Sequence, residues 1–236
     1  MRRGKILKQK NTGLPTLAST TIWMISLGYL GVQIAFTLET SQMSRIFQTL
    51  GADPTKLGWF FILPPLAGLV VQPEIGSLSD RTWIPKIGRR LPYLLIGMIF
   101  AVITMIILPN VGSFGLGYGS LEALIFGAVA IAVLDVASNM AMQPFKMMIG
   151  DMVNDDQKSY AYGIQSMLSN FGAVIAAFFP FLLTSLGVAN TAKKGVVPQS
   201  VVISFYVGAA VLVITSLFTI FRVHEYCLLY TSDAAD

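Results

Sequence analysis

Six apolar runs set the terms for this chain, near 20–42, 57–75, 91–109, 120–144, 161–186 and 201–221. Each is long enough to cross a bilayer core, which takes about 20 helical residues. Hydrocarbon offers backbone N–H and C=O groups no partners, so only helices or closed barrels span it. The runs are too long and too uniformly apolar for barrel strands, which leaves an all-α membrane bundle. Gly28, Gly31, Pro64, Pro65, Gly68, Gly127, Gly163, Gly172 and Pro180 lie inside the runs and would weaken soluble helices. In a membrane bundle small residues permit close helix contact, and neighbours satisfy groups that proline frees.

Charge is scarce and unevenly placed. Only 12% of residues are charged, against about 25% in an ordinary globular domain, too few to coat a soluble globule. One side of the expected membrane carries Arg2, Arg3, Lys5, Lys8 and Lys10 in a basic arm (1–19), Arg81, Lys86, Arg89 and Arg90, then Lys146 and Lys158, then Arg222. The other side holds Arg45, Lys56, Lys193 and Lys194. Positive charge is retained in the cytoplasm, so both ends are expected there, in a multi-pass protein of the cell membrane. No small-residue cleavage site closes the first apolar run, so it reads as a retained span rather than a signal peptide. A single cysteine, Cys227, and a single histidine, His224, provide no disulfide framework and no zinc cluster.

The stretch GSLSDRTWIPKIGRR (76–90) concentrates basic residues between the second and third runs. A positive-inside anchor explains its arginines and lysine alone. It does not explain Asp80 immediately before Arg81, nor Gly76 and Gly88 at the two ends. Glycine permits a left-handed cap or a close crossing, and an aspartate facing paired arginines can hold helix ends together in one state and release them in another.

With G76-S-L-S-D80-R81 and G88-R89-R90, the loop resembles the signature between helices two and three of the major facilitator superfamily. G31-V-Q33-I-A-F36-T-L-E39, L69-V-V-Q72-P73-E-I-G76 and L134-D135-V-A-S138-N139-M-A-M-Q143-P144-F-K146 are similar to sucrose transporters and their bacterial relatives, although Glu74 stands where a small or apolar residue is expected. The likeness covers about 20–222. It implies the N-terminal six-helix bundle of a twelve-helix carrier that moves a di- or oligosaccharide together with protons by alternating access. It further implies a cytoplasmic gate of Gly76, Asp80, Arg81, Gly88, Arg89 and Arg90, with Lys146 and Asp151 in a second gating loop after helix four. The C-terminal six-helix half would be the missing partner.

The residues support this independently. A charge at mid-bilayer costs about 2.5–3.5 kcal/mol on insertion scales, so it faces protein or water and marks a pathway. Asp135 is such a charge, and Asn139 and Gln143 follow it on one helix face at i+4 and i+8. Asp135 is a candidate proton carrier, or else a hydrogen-bond anchor between helices. Glu39, near the outer end of the first run, is a second titrating or sugar-binding group, or an interfacial residue. Gln33, Asn139 and Gln165 are candidate sugar ligands, because neutral donors and acceptors discriminate hydroxyl patterns; each could equally be helix glue. Gln33, Thr37 and Thr40 form a further polar stripe.

Trp23 and Trp59 read as interface-belt residues and Trp83 as packing against helix ends. The methionines read as flexible filling. Asp155-Asp156 lacks the spacing of a tight metal site, and no cofactor or nucleic-acid partner is expected. The tail 223–236 reads as neither a seventh helix nor a family linker, and from about Cys227 it is expected to be extraneous. Six spans alone would provide one wall of a central cavity, so transport is expected of a longer parent. A cation–sugar symporter using sodium is the near alternative, and a non-transporting six-helix scaffold the distant one. No nucleophile–base pair or phosphate loop points to an enzyme.

Overall fold

A computed structural model describes residues 14–53, 62–85, 87–115, 118–223 and 225. Six α-helices account for most of them: α1 (Ser19–Leu50), α2 (Leu63–Arg81), α3 (Leu91–Ile107), α4 (Leu121–Met152), α5 (Asp155–Ser185) and α6 (Gln199–Arg222). A 3₁₀ segment, Leu108–Phe114, prolongs α3. They form an all-α, membrane-spanning bundle. α1, α4, α5 and α6, together with α3 and its extension, are long and apolar enough to cross a bilayer. α2 carries Glu74, Asp80 and Arg81 within 19 residues, and the residues preceding it, 54–61, lie outside the described set with Lys56 and Trp59.

Helices and apolar runs differ at their ends, for one physical reason. Hydropathy marks the part of a helix that lipid covers, whereas the helix itself continues until a cap or turn stops it. α1 has 32 residues, about 48 Å at 1.5 Å per residue, and continues from the expected end at 42 to Leu50. Over this last part Gln42, Met43, Ile46, Phe47 and Leu50 turn inward while Ser41 and Gln48 stay exposed. Gly51 then stops the helix in a left-handed conformation, φ 94°, and the next N–H, that of Ala52, bonds to the Phe47 carbonyl at 3.0 Å. α4 runs eight residues beyond 144, and α5 starts at Asp155, not near 161. Asn154 caps α5 by accepting from the Asp156 N–H at 3.2 Å, and Asp155 and Asp156 complement the positive end of the helix.

α1 is the axis of the bundle and packs on α4, α5 and α6; α3 packs on α4 and α6, and α2 chiefly on α4. Glycines set two of these separations. A Cβ on Gly97 would lie 2.7 Å from the Ala141 nitrogen and 2.8 Å from the Ala137 carbonyl oxygen, so α3 and α4 are in backbone contact. One on Gly172 would lie 2.9 Å from the Leu30 oxygen, bringing α5 equally close to α1. Met43, Met98, Met105, Met142, Met148 and Met152 are buried in the shared core, as flexible fillers should be. Trp23 is exposed near the start of α1, and Trp83 is 48% exposed. Trp83 therefore does not pack down on helix ends as expected. Leu69 on α2 and Phe178 and Phe181 on α5 also face outward.

Candidate functional site

Two groups of polar side chains are built into the apolar bundle, one at its centre and one at the end where α2 meets α3. The central group begins with Glu39 of α1 and Asp135 of α4, both with 0% exposure. The two carboxyls are near enough to interact electrostatically. Neither oxygen of Glu39, nor Oδ1 of Asp135, has a hydrogen-bond partner among the described residues. No arginine or lysine pairs with either acid there. Glu39 is fully enclosed by the bundle, and α1 continues for three further turns beyond it.

Asp135 is the end of a chain of amides. The Asn139 Nδ2 donates to Asp135 Oδ2 at 3.2 Å and to its backbone oxygen at 3.0 Å. Asn139 Oδ1 accepts from Gln72 Nε2 at 2.7 Å, and Gln72 Oε1 accepts from Gln143 Nε2 at 3.1 Å. The stripe at 135, 139 and 143 therefore does share a face, and that face meets α2. Gln72 is the bridging residue, and the sequence reading missed it as a site residue. Its signal was available, since it is an uncharged amide inside the apolar stretch LVVQP, the same criterion that singled out Gln33 and Gln165. A Cβ on Gly68, one turn before Gln72, would lie 3.3 Å from Asn139 Oδ1, so α2 stays close to the amide chain.

The other candidate ligands lie apart from this chain. Gln33 donates to Thr37 Oγ1 at 3.3 Å and accepts from Ser169 Oγ at 3.0 Å, tying α1 to α5. Thr40 turns its hydroxyl back to the Phe36 carbonyl of its own helix at 3.0 Å. Gln165 is buried and donates to the Phe145 carbonyl of α4 at 3.1 Å, a helix-to-helix tie.

The second group is centred on Arg90, whose side chain is 4% exposed. Its three guanidinium nitrogens all have acceptors. Nη2 lies 2.6 Å from Asp80, Nε donates to Asp151 at 3.0 Å, and Nη1 donates to Ser79 Oγ and to the Gly76 carbonyl at 3.4 Å. Arg89 reaches Asp151 at 2.8 Å and Asp80 at 3.9 Å. A buried guanidinium is tolerated only when its donors are met, and here they are. Gly76 lies inside α2, not at an end; a Cβ there would come 2.9 Å from the Met147 methyl of α4. Gly88 adopts a left-handed φ of 96°, so of the two glycines one serves a close crossing and the other a turn.

Asp151 departs from the expected arrangement. Both it and Lys146 lie on the last turns of α4, which runs to Met152, so no separate gating loop follows helix four. Asp151 instead joins the Arg89–Arg90 cluster. Lys146 is half-buried and forms no ion pair among the described residues, and Arg81 is exposed and likewise unpaired. Lys86 and His224 lie outside the described residues.

A further member comes from beyond α6. The Glu225 carboxylate accepts the backbone N–H groups of Arg89 at 2.9 Å, Arg90 at 3.0 Å and Leu91 at 2.8 Å. These are the orphan donors at the start of α3, whose own cap residue offers no side-chain acceptor. A carboxylate there also meets the positive end of the helix dipole. A Cβ on Gly88 would lie 2.7 Å from Glu225, so that glycine is needed for this contact as well as for the turn.

An α-helical membrane bundle with unpaired buried carboxyls at its centre and an arginine–aspartate cluster tying helix ends is the architecture of one half of a two-bundle secondary carrier. The chain belongs to the MFS/sugar transport protein family, whose model matches residues 13–231. It is 25% identical over 206 residues to the sucrose transport protein SUC4 of Arabidopsis thaliana, covering 83% of this chain and 40% of that protein. It is 30% identical over 197 residues to the sucrose transport protein SUT4 of Oryza sativa subsp. indica, covering 73% and 33%. It is 25% identical over 195 residues to a general alpha-glucoside permease of Schizosaccharomyces pombe, covering 77% and 35%. The chain thus spans less than half the length of these relatives. The family is one of transport proteins, not of enzymes.

Proposed function

We propose that this chain is the N-terminal half of a carrier that couples the entry of protons to the uptake of a di- or oligosaccharide by alternating access. The observation that supports it most is the pair Glu39 and Asp135, fully buried and with no ion pair among the described residues. A bare carboxylate in such surroundings is costly, and a bound proton removes that cost. Loading and unloading a proton would therefore change the stability of the bundle's inner seam, which is what a coupled carrier requires of its coupling residue. Asn139 and Gln72 would report that change to α2, and Asn139, Gln33 and Gln165 would offer amides to sugar hydroxyls. Of these, Asn139 is the strongest candidate ligand, because it touches both the acid and the amide chain.

The Asp80–Arg89–Arg90–Asp151 cluster would serve as the gate on the cytoplasmic side, with Gly76 and Gly88 permitting its geometry. Arg81 and Lys146, which form no ion pair among the described residues, would find their partners in another state or in the second half. The orientation follows from the basic residues of that end, with the N-terminus cytoplasmic and the protein in the cell membrane. The relatives named as sucrose transport proteins and an alpha-glucoside permease favour a glucoside-containing disaccharide.

A sodium ion could relieve the same unpaired carboxylates, so the ion needs its own test. The full-length protein is placed in proteoliposomes and supplied with labelled mono- and disaccharides under an imposed pH gradient, with sodium or potassium at equal ionic strength. Accumulation driven by the pH gradient and indifferent to sodium supports proton symport. Accumulation only with sodium replaces the proton by sodium, and no uptake of any sugar with either ion ends the proposal.

A further inference from the structure

The end of the bundle opposite Arg90 carries the chain's less expected charges. Arg45, Lys193 and Lys194 belong to the side that is otherwise poor in basic residues, and the fold gathers all three around one cavity of about 250 Å³. Gln48, Thr49 and Tyr118 complete its polar wall.

The cavity is braced from several elements. Arg45, near the last turn of α1, is half-buried and donates from Nη2 to the Asn190 carbonyl at 3.0 Å and to its Oδ1 at 2.8 Å. Asn190 is in turn held by the Ser200 hydroxyl at 2.8 Å, so the Nη2 edge of the guanidinium is fixed. Lys193 begins a turn closed by the Val196 N–H at 3.1 Å, with Gly195 at φ 84°. Lys194 Nζ lies over the Tyr118 ring, 5.9 Å from its centre. Pro198 lines the cavity and is the N-cap of α6, so the positive end of that helix adds to the same field. None of the three cations is ion-paired to a carboxylate among the described residues.

We infer that this cavity is an anion site for a phosphoryl group, with Arg45 as a fixed planar donor and Lys193 and Lys194 as mobile point charges. Arginine suits oxyanions because its donors are coplanar and preset, and lysine because its ammonium adapts. Nothing in the proposed sugar and proton chemistry uses these residues, so the site stands apart from it. The phosphoryl group can come from soluble phosphate or from the headgroup of an anionic lipid, since the cavity lies where the helices end.

The test uses the full-length protein, purified in detergent and in nanodiscs. In detergent, thermal unfolding is followed against inorganic phosphate, with chloride at matched ionic strength as control. In nanodiscs of phosphatidylcholine with or without phosphatidic acid, native mass spectrometry reads retained lipid. Saturable stabilisation by phosphate beyond chloride identifies a soluble anion as ligand; selective retention of phosphatidic acid without it identifies the headgroup. Either effect should weaken about tenfold for each cation removed, the worth of one charged hydrogen bond. The Lys193→Gln/Lys194→Gln variant changes only exposed loop residues and keeps the test valid if Arg45→Gln unfolds the chain. Equal response to phosphate and chloride with no lipid preference, or undiminished binding in the double variant, overturns the proposal.

Discussion

Two pairs of acidic side chains, one at the centre of the bundle and one beside Arg89 and Arg90, are treated in opposite ways. Asp80 and Asp151 face two arginines and are 52% and 30% exposed. Glu39 and Asp135 are fully enclosed and face no cation among the described residues. An acid with a guanidinium beside it keeps its charge and works as a tie. An acid without one, away from water, is costly to leave charged, and its occupancy can drive a change of shape. One protein thus uses the same functional group as a fastener in one place and as a proposed proton-operated switch in another, and the counter-ion makes the difference.

The comparison breaks most visibly at Asp135. A membrane potential of 100 mV contributes about 2.3 kcal/mol per proton, an accumulation of about fifty-fold for one-to-one coupling. In Asp135→Asn full-length protein, that accumulation should fall to about one while labelled-sugar exchange at equal concentrations persists. Unchanged pH-driven accumulation would remove Asp135 from the coupling role. Its effect on folding should be small, because an amide replaces an acid that has no ionic partner.

The opposite pattern is expected of Arg90. Arg90→Lys loses the fork that reaches Asp80, Asp151 and Ser79 together, and should lower stability by about 2 kcal/mol in denaturing-detergent titrations, with the pH profile of uptake unmoved in form. A shifted profile would mean that the two regions are not separate. Asp151→Asn should cost about 1 kcal/mol and Asp80→Asn less, because water screens the more exposed acid. The smallest change, about 0.5–1 kcal/mol, belongs to Glu225→Gln, which keeps an acceptor at the start of α3 but gives up the charge. Hydrogen exchange at Arg89, Arg90 and Leu91 should quicken in that variant alone.

The central group was mostly legible in the sequence, and the exceptions have causes. Residues 135, 139 and 143 repeat every four along an uninterrupted apolar run, so one helix brings them to one face whatever surrounds it. Which helix that face meets is a tertiary fact, and Gln72 could be paired with it only once α2 and α4 were seen together. In the sequence Glu39 stays open between a titrating or sugar-binding group and an interfacial residue, because the apolar run fades near 42. Beyond that point polar and apolar residues alternate around the helix, and the continuation of α1 to Leu50 has to be read from its buried stripe. At the Arg90 end the charges were evident and their pairing was not: Asp151 lies 61 residues from Arg90 along the chain. Glu225 carried no signal whatever, since a lone acid after the last helix has no period and no motif to mark it.

That lone acid has a mechanical consequence. By holding three amide hydrogens at the head of α3, Glu225 joins the exit of the sixth helix to the entrance of the third. Rotation of the two helices about this point leaves the contact intact, but sliding one along the other would strip all three amides at once. Whatever motion this bundle makes, α3 and α6 should tilt as a hinged pair and not shear.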